Sequence, residues 1–325
     1  MATTAEYEPS EHVAQFLKRV EGTKADRTHR NRKTDLKDFE LWLRAEHDGG
    51  VADVEPLDIE GYIIHLSNEG YASTTMNSRF YSLKSFYRYL ADKKDVMDET
   101  PFKAVDRSEL SQLANGTKKA EATREEISYV TPEQVEQLAE HASEPRLRNE
   151  LLIRLMFQTG VREGELVGIR LEDIDRDDRS IRIHATKTNT NRTVFYQSDL
   201  DFLLNQWIDG GYRDALIGAD GSPYLFVSDY TSKLEKQRMN KVVKEAAEEA
   251  GIQETMYTDN AGHERKKITS HALRHGHAVE SLKSGIDVRT VQKHLGHASL
   301  DMTMRYLRLI NDDVRDAYQR FGSDD

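Results

Sequence analysis

Apolar residues recur along this chain mainly at helical spacing. Leu36, Phe39 and Leu43 stand at i, i+3 and i+7, with Trp42 filling the same stripe, which predicts an amphipathic helix ending before Asp48-Gly49-Gly50. Further helices are predicted over 10–20, 57–69 and 73–91. From Ser108 the pattern lapses into polar residues, Asn115-Gly116-Thr117-Lys118-Lys119 among them, and an interdomain linker is expected over 111–127. Periodicity resumes at Thr131-Pro132-Glu133-Gln134, where Thr131 caps a helix, Pro132 takes the first helical position and Gln134 completes a capping box. Ser180 to Lys187 alternates apolar and polar, and Thr193-Val-Phe-Tyr196 answers it after Thr188-Asn189-Thr190-Asn191, so a β-hairpin with Lys187 at its tip is predicted. Helices follow over 199–209, 234–250, 271–284, 288–295, 300–308 and 312–321. Gly285 and Gly296 stand at C-cap positions, and Asp287 and Ser299 at N-cap positions. The expectation is a mainly α protein with a helical domain over 10–110 and a mostly helical domain over 128–325 carrying a small antiparallel hairpin.

Composition narrows the class. Of 325 residues, 37% are hydrophobic and 32% charged, which suits a globular protein of about two domains. No run approaches the ~18 apolar residues of a membrane span, and Glu6, Glu8 and Glu11 occupy the start, so no membrane association and a cytoplasmic location are expected. The absence of cysteine excludes disulfide scaffolds, thiol nucleophiles and Cys-based zinc sites. A formal charge of −11 argues at face value against nucleic acid. Residues 1–120 hold 18 basic and 21 acidic side chains, and 121–325 hold 28 and 36, so neither half is basic. Placement changes this: from Lys18 to Lys37, eight cations (Lys18, Arg19, Lys24, Arg27, Arg30, Arg32, Lys33, Lys37) face only Glu21, Asp26 and Asp35. A second cluster, Arg79, Lys84, Arg88, Lys93 and Lys94, interleaves with Tyr81, Phe86, Tyr87 and Tyr89, as in a helix laid along a phosphate backbone. For that cluster taken alone, core aromatics beside a solvated basic face is the simpler reading.

Four further positions carry candidate chemistry. Arg162, in Thr159-Gly-Val-Arg-Glu-Gly-Glu-Leu166, follows an apolar helix and its terminating glycine, so it stands beside the start of the next helix, where anions are favoured. Taken singly, an arginine beside two glutamates is an ordinary ion pair. In Ser270-His-Ala-Leu-Arg-His-Gly-His277, His271 and Arg274 share one helix face, a cation and an imidazole suited to gripping phosphate. His271 and His275 at i, i+4 could instead share a metal, although no Glu lies between them as in zinc-hydrolase helices. Leu295-Gly-His297 leads through Ala-Ser-Leu-Asp-Met-Thr-Met-Arg to Tyr306, a residue that is normally core but can act as a nucleophile if cations or a base assist a phenol of ordinary pKa ~10. Lys187 taken singly is an exposed lysine.

In this order the motifs resemble the tyrosine recombinase, or phage integrase, family, including its Xer-type members. TGVREGEL is similar to the family's first-arginine box, Lys187 falls where its hairpin lysine stands, SHALRHGHA is similar to its His-x-x-Arg box, and LGHASLDMTMRY to the box that ends in the nucleophile. The resemblance covers 131–310 closely and 10–110 with more divergence. It implies a helical, SAM-like core-binding domain followed by the mostly α catalytic fold, closing as a clamp around the duplex.

The resemblance implies the following chemistry. Arg162 and Arg274 bind the non-bridging oxygens of the scissile phosphate, and Tyr306 attacks phosphorus to give a 3′-phosphotyrosine link and a free 5′-hydroxyl. Lys187 protonates the departing oxygen, His271 exchanges the tyrosine proton, and His297 hydrogen-bonds the phosphate, with Glu165 in support. No metal and no other cofactor is implied. Lys24, Arg27, Arg30, Arg32, Lys33, Arg79, Lys84 and Arg88 become candidate contacts to double-stranded DNA. The tail around Val314, Ala317, Tyr318 and Phe321 is expected to dock on a neighbour in a homo-tetramer holding two DNA sites. Gly164 replaces a common serine and Gly276 a common threonine.

The type IB topoisomerases share this chemistry and are the alternative; a silent DNA-binding member and a His-metal phosphoesterase are weaker ones. From the length, no extra arm-binding domain is expected ahead of the helical domain. The surplus acid resembles the surface bias of proteins from salt-rich cytoplasm, which predicts DNA cleavage that persists at high KCl.

Overall fold

The computed structural model describes residues 7–46, 49–71, 73–94, 96–103, 105, 127–184, 191–258 and 264–321. The chain divides into two compact units, Met1–Glu125 and Glu126–Asp325.

The first unit packs four helices: α1 (Glu11–Thr23), α2 (Asp26–Glu46), α3 (Pro56–Asn68) and α4 (Ser73–Tyr89). A π-turn (Leu90–Lys94) and a short 3-10 turn (Pro101–Lys103) follow α4. The stripe read from Leu36, Phe39 and Leu43 is the buried face of α2, and it meets Val13, Phe16, Tyr62, Leu83, Phe86 and Tyr87 in one core. Ser10 caps α1 by accepting from the Val13 amide. Buried Glu40 accepts from the Tyr7 hydroxyl and, at 3.1 Å, from the Ser10 amide, which ties the segment before α1 to α2. Helix α2 begins ten residues before the apolar stripe, so the part of the basic window from Arg27 to Lys37 lies within it, while Lys18 and Arg19 lie on α1.

The second unit starts with α5 (Pro132–Glu140), where the predicted capping box forms: the Thr131 amide donates to Gln134 at 3.0 Å and the Gln134 amide to Thr131 Oγ1 at 3.4 Å. Helix α6 (Arg146–Thr159) buries Leu151, Leu152, Ile153, Leu155 and Met156 and forms the centre of the core, as its nearly continuous apolar run requires. A short helix, α7 (Glu163–Leu166), precedes a three-stranded antiparallel sheet of β1 (Ile174–Asp175), β2 (Ser180–Ile183) and β3 (Arg192–Phe195), in order β1-β2-β3. Its register pairs Ile181 with Val194, both buried, and Ile183 with Arg192. The two strands of the predicted hairpin therefore pair, with β1 added at the edge, while its tip at Lys187 lies outside the described residues. Helices α8 (Asp201–Ile208) and α9 (Lys236–Glu249) follow.

A second, two-stranded sheet, β4 (Thr255–Thr258) and β5 (Glu264–Lys266), stands where the sequence pattern gives no strand. The helices α10 (Ser270–Lys283), α11 (Val288–Leu295) and α12 (Leu300–Phe321) complete the unit. Asp287 caps α11 through the Arg289 and Thr290 amides, and Gly296 ends it in the left-handed conformation. Where the sequence predicts two helices over 300–308 and 312–321, α12 is continuous, because Leu309-Ile310-Asn311 contains no glycine or proline to stop it. Among the described residues no helix is long and apolar enough to cross a membrane.

Candidate DNA strand-transfer site

Two helix ends build the site. Helix α6 finishes at Gly160, with φ +59°, and α11 at Gly296, with φ +65°, so both chains turn sharply and leave C-terminal carbonyls exposed to partners. At Gly160 a side chain is excluded twice, since a Cβ there would also overlap the rings and methyls of His277 and Leu295. Arg274, on α10 and only 4% exposed, donates to the Gly160 carbonyl and, at 2.8 Å, to the Leu295 carbonyl. Burial, then the neighbouring charge of Arg162, brings it down to about 10, which leaves it cationic at neutral pH.

Three consecutive carbonyls of α11 each accept from a different arginine. His294 takes Arg192 Nε at 2.6 Å, Leu295 takes Arg274, and Gly296 takes Arg162 Nη2 at 3.0 Å. A helix C-terminus carries partial negative charge, so it positions cations without neutralising them. Among the described residues, the one carboxylate that Arg162 and Arg192 contact is Glu165. It receives Arg192 through both oxygens at 2.8 and 3.0 Å, the Arg162 guanidinium at 3.1 Å and the Arg162 amide at 2.9 Å. Burial pushes the Glu165 carboxyl up, but the Arg192 and Arg162 hydrogen bonds and charges outweigh it and hold the group at about 2. Two guanidiniums thus hold one carboxylate, and the third, Arg274, bonds to carbonyls instead. Among the described residues, Arg162 and Arg274 each engage two of their five guanidinium N–H groups in these bonds, with three on each left to receive an anion.

Tyr306 lies in the second turn of α12, 4% exposed, packed with Ala278, Val279, Val291 and Leu295. Burial raises its phenol, while Arg274, Arg305 and Arg162 pull it back. The His297 ring stacks at 6.2 Å from the Tyr306 ring, and His297 Nδ1 lies 2.8 Å from the hydroxyl of fully buried Thr303. Burial and Arg274 hold His297 down to about 3, so it is neutral at physiological pH. The Tyr306 hydroxyl meets His275 Nδ1 at 2.7 Å. His271 stands apart, its side chain 67% exposed and its Nδ1 3.8 Å from Glu163. Its helix start is fixed by Ser270, which donates to Glu163 and whose amide donates to Asn240 at 3.2 Å.

Of the predicted site residues, Arg162, Arg274, His297 and Tyr306 therefore converge, His271 borders them, and Lys187 lies outside the described residues. Sequence reasoning missed Arg192 and the contact between His275 and Tyr306. A signal for Arg192 did exist: it shares the inward face of β3 with buried Val194, and an inward arginine needs a partner. Among the described residues no group of three His, Asp or Glu side chains gathers as a metal site. Gly276 has its own local cause, because a Cβ there would overlap the Val130 carbonyl and the Phe157 ring.

In the first unit, Lys24, Arg27, Arg30 and Lys33 are exposed along α1 and α2, and Arg32 is half-buried with its guanidinium 5.4 Å over the Phe16 ring. Arg88 is exposed on α4, and Lys84 lies 5.9 Å over Phe80. Arg79 corrects the expectation of a DNA contact. It is 7% exposed and bonds to Asp38 at 2.5 Å and Tyr62 at 3.2 Å beneath the Tyr71 ring, so its charge is consumed inside the unit.

The family model described as the phage integrase family matches residues 128–312, and that of the phage integrase N-terminal SAM-like domain matches 13–94. The tyrosine recombinase XerC of Roseiflexus castenholzii is 27% identical over 282 residues, covering 85% of this chain and 81% of the relative. The XerC of Lacticaseibacillus casei is 28% identical over 296 residues, covering 89% and 90%. Among solved structures, the XerH site-specific recombinase bound to palindromic difH substrate in a post-cleavage complex aligns with a TM-score of 0.70 at 17% identity, over 94% of this chain and 83% of that one. A lambda integrase dimer bound to a core site aligns with a TM-score of 0.67 at 16% identity, over 92% and 94%. The mainly α architecture, the two matched segments and the cluster of arginines around a buried tyrosine agree: this chain belongs to the phage integrase family.

Proposed function

We propose that this chain is a site-specific DNA recombinase that cuts and rejoins DNA strands through a covalent 3′-phosphotyrosine at Tyr306. The observation that carries the reading is the excess of positive charge at the α11 terminus, three guanidiniums to one carboxylate, beside a buried phenol. A phosphodiester matches that excess, and its pentacoordinate transition state, with one more negative charge, matches it better. Arg162 and Arg274 take the non-bridging oxygens. His297 Nδ1 hydrogen-bonds the Thr303 hydroxyl, and we assign the imidazole proton to Nε2, where it donates to the same phosphate. Lys187 is the acid for the departing 5′ oxygen. The arginines supply the charge for phosphoryl transfer, and the phosphotyrosine conserves the energy of the broken bond, so neither a metal nor a nucleotide enters the scheme.

Double-stranded DNA is the substrate, met in the first unit by Lys24, Arg27, Arg30, Arg32, Lys33, Lys84 and Arg88. The assembly we propose is a homo-tetramer on two sites, and the protein acts in the cytoplasm. The relatives are named as recombinases and integrases, which favours strand exchange over type IB relaxation.

To test this, duplexes enriched from a random-sequence pool by binding to the protein are nicked and incubated with it in EDTA. A covalent protein–DNA adduct that disappears in Tyr306→Phe is expected. An enriched duplex that yields no adduct with the wild type, or an adduct that persists in Tyr306→Phe, contradicts the reading.

A further inference from the structure

The tyrosine proton must leave as the bond to phosphorus forms, since a buried phenol is not ionised in advance. Among the described residues one acceptor touches it: His275 Nδ1, 2.7 Å from the Tyr306 hydroxyl, with the rings 5.6 Å apart. His271, which the family resemblance puts in this role, is mostly exposed, and its ring centre is 6.4 Å from that of His275. A carbonyl or hydroxyl cannot take a proton at neutral pH; an imidazole nitrogen with its lone pair aimed at the hydroxyl can.

We infer that His275 is the proton acceptor for Tyr306 in strand cleavage and its donor in rejoining. The inference rests on the proposed function above. As Tyr306 Oη bonds to phosphorus, its proton passes to His275 Nδ1 and the bond from phosphorus to the 5′ oxygen breaks, that oxygen taking its proton from a separate acid. In rejoining, the 5′-hydroxyl attacks, the bond from phosphorus to Oη breaks, and the His275 imidazolium returns the proton to Oη. No oxidant, metal or additional reactant is required. The groups around the ring are His271 and Arg274 on its own helix and Arg305, Tyr306 and His297 from the segment that includes α12. Burial and these cations hold His275 at about 4, so it enters the reaction neutral, with Nδ1 open as an acceptor. An unaided imidazole of that kind is a weak base. The phosphate that binds at Arg162 and Arg274 brings the negative charge that strengthens it in the transition state.

The experiment measures single-turnover adduct formation by the full chain on the enriched nicked duplex, and on the same duplex with sulfur replacing the bridging 5′ oxygen, a leaving group that needs no acid. His275→Asn retains an acceptor near Oη but cannot bind the proton, and His275→Ala removes both. Both are expected to cleave ~10²-fold or more slowly with DNA affinity unchanged, and to remain slow on the sulfur-bridged duplex. Cleavage by His275→Asn within threefold of the wild type reduces His275 to a positioning residue and overturns the inference. Rescue of either variant by the sulfur-bridged duplex overturns it too, because His275 would then serve the leaving group. If His275→Ala does not fold, His275→Asn decides alone. An adduct with the wild type on the unmodified duplex separates failure of this inference from failure of the proposed function.

Discussion

Arg79 in the first unit and Arg274 in the second are almost equally buried, yet they are held in opposite ways. Arg79 meets a carboxylate, Asp38, and two tyrosines, so its charge is matched where it lies. Among the described residues, Arg274 meets only backbone carbonyls at the ends of two helices, which fix its geometry and leave its charge unspent. Burial alone does not tell a structural arginine from one that receives a ligand; the counting of carboxylates does. By that count, Arg162 and Arg192 share Glu165 while Arg274 bonds to no carboxylate, and the surplus is what a phosphodiester would occupy.

The sharpest break in this comparison is functional. Arg274→Ala is expected to lower cleavage about 10³-fold with DNA binding retained, measured by adduct formation and by gel shift. Arg274→Lys should recover little, because a single ammonium cannot span two carbonyls and a phosphate. Comparable loss of binding and cleavage would make Arg274 a docking residue. Arg79→Ala should do the reverse, destabilising its unit by about 3 kcal/mol in chemical denaturation while cleavage per folded molecule stays near wild type.

Acid should separate the units next. His275, His277 and His297 are held near 4, 3 and 3, chiefly by burial, whereas an unfolded imidazole titrates near ~6.5. Their neutral forms stabilise the fold fully above that value. As pH falls from ~6.5 towards the folded values the unfolded chain binds more protons, and each histidine removes up to about 1.4 kcal/mol per pH unit. Asp35 in the first unit, pushed up by burial, works the other way, its penalty easing as pH drops. Segment-resolved hydrogen exchange, corrected for intrinsic rate, should show α10 and α11 opening more readily at pH 5 than at pH 7.5, and α2 and α4 changing less. Equal loosening of both would contradict this.

The smallest expected effect is at Gly164, where a Cβ meets nothing within 4 Å: Gly164→Ser should shift stability by under about 0.5 kcal/mol, whereas Gly276→Thr should fail against the Val130 carbonyl. Thermal melts of the two variants compare them.

What the sequence made legible was local. The helix stops at Gly160 and Gly296, the Thr131 capping box and the β2–β3 hairpin are all fixed by neighbours within a few residues, and they deliver Arg162, Arg274 and His297 to one place. What escaped depends on partners far apart in sequence. Arg79 looked like a surface cation because Asp38 is 41 residues away, and His275 looked like half of a metal pair because Tyr306 is 31 residues away. Arg192 finds Glu165 across 27 residues and His294 across 102. Periodicity gives the face of a helix, but not which opposing element supplies the charge or proton that meets it.

The account turns on Tyr306 as the atom donor to phosphorus. Peptide mapping by mass spectrometry of the adduct trapped on a nicked duplex in EDTA should place a 3′-linked nucleotide on the peptide containing Tyr306. A nucleotide on any other residue, or a 5′ linkage, would contradict it.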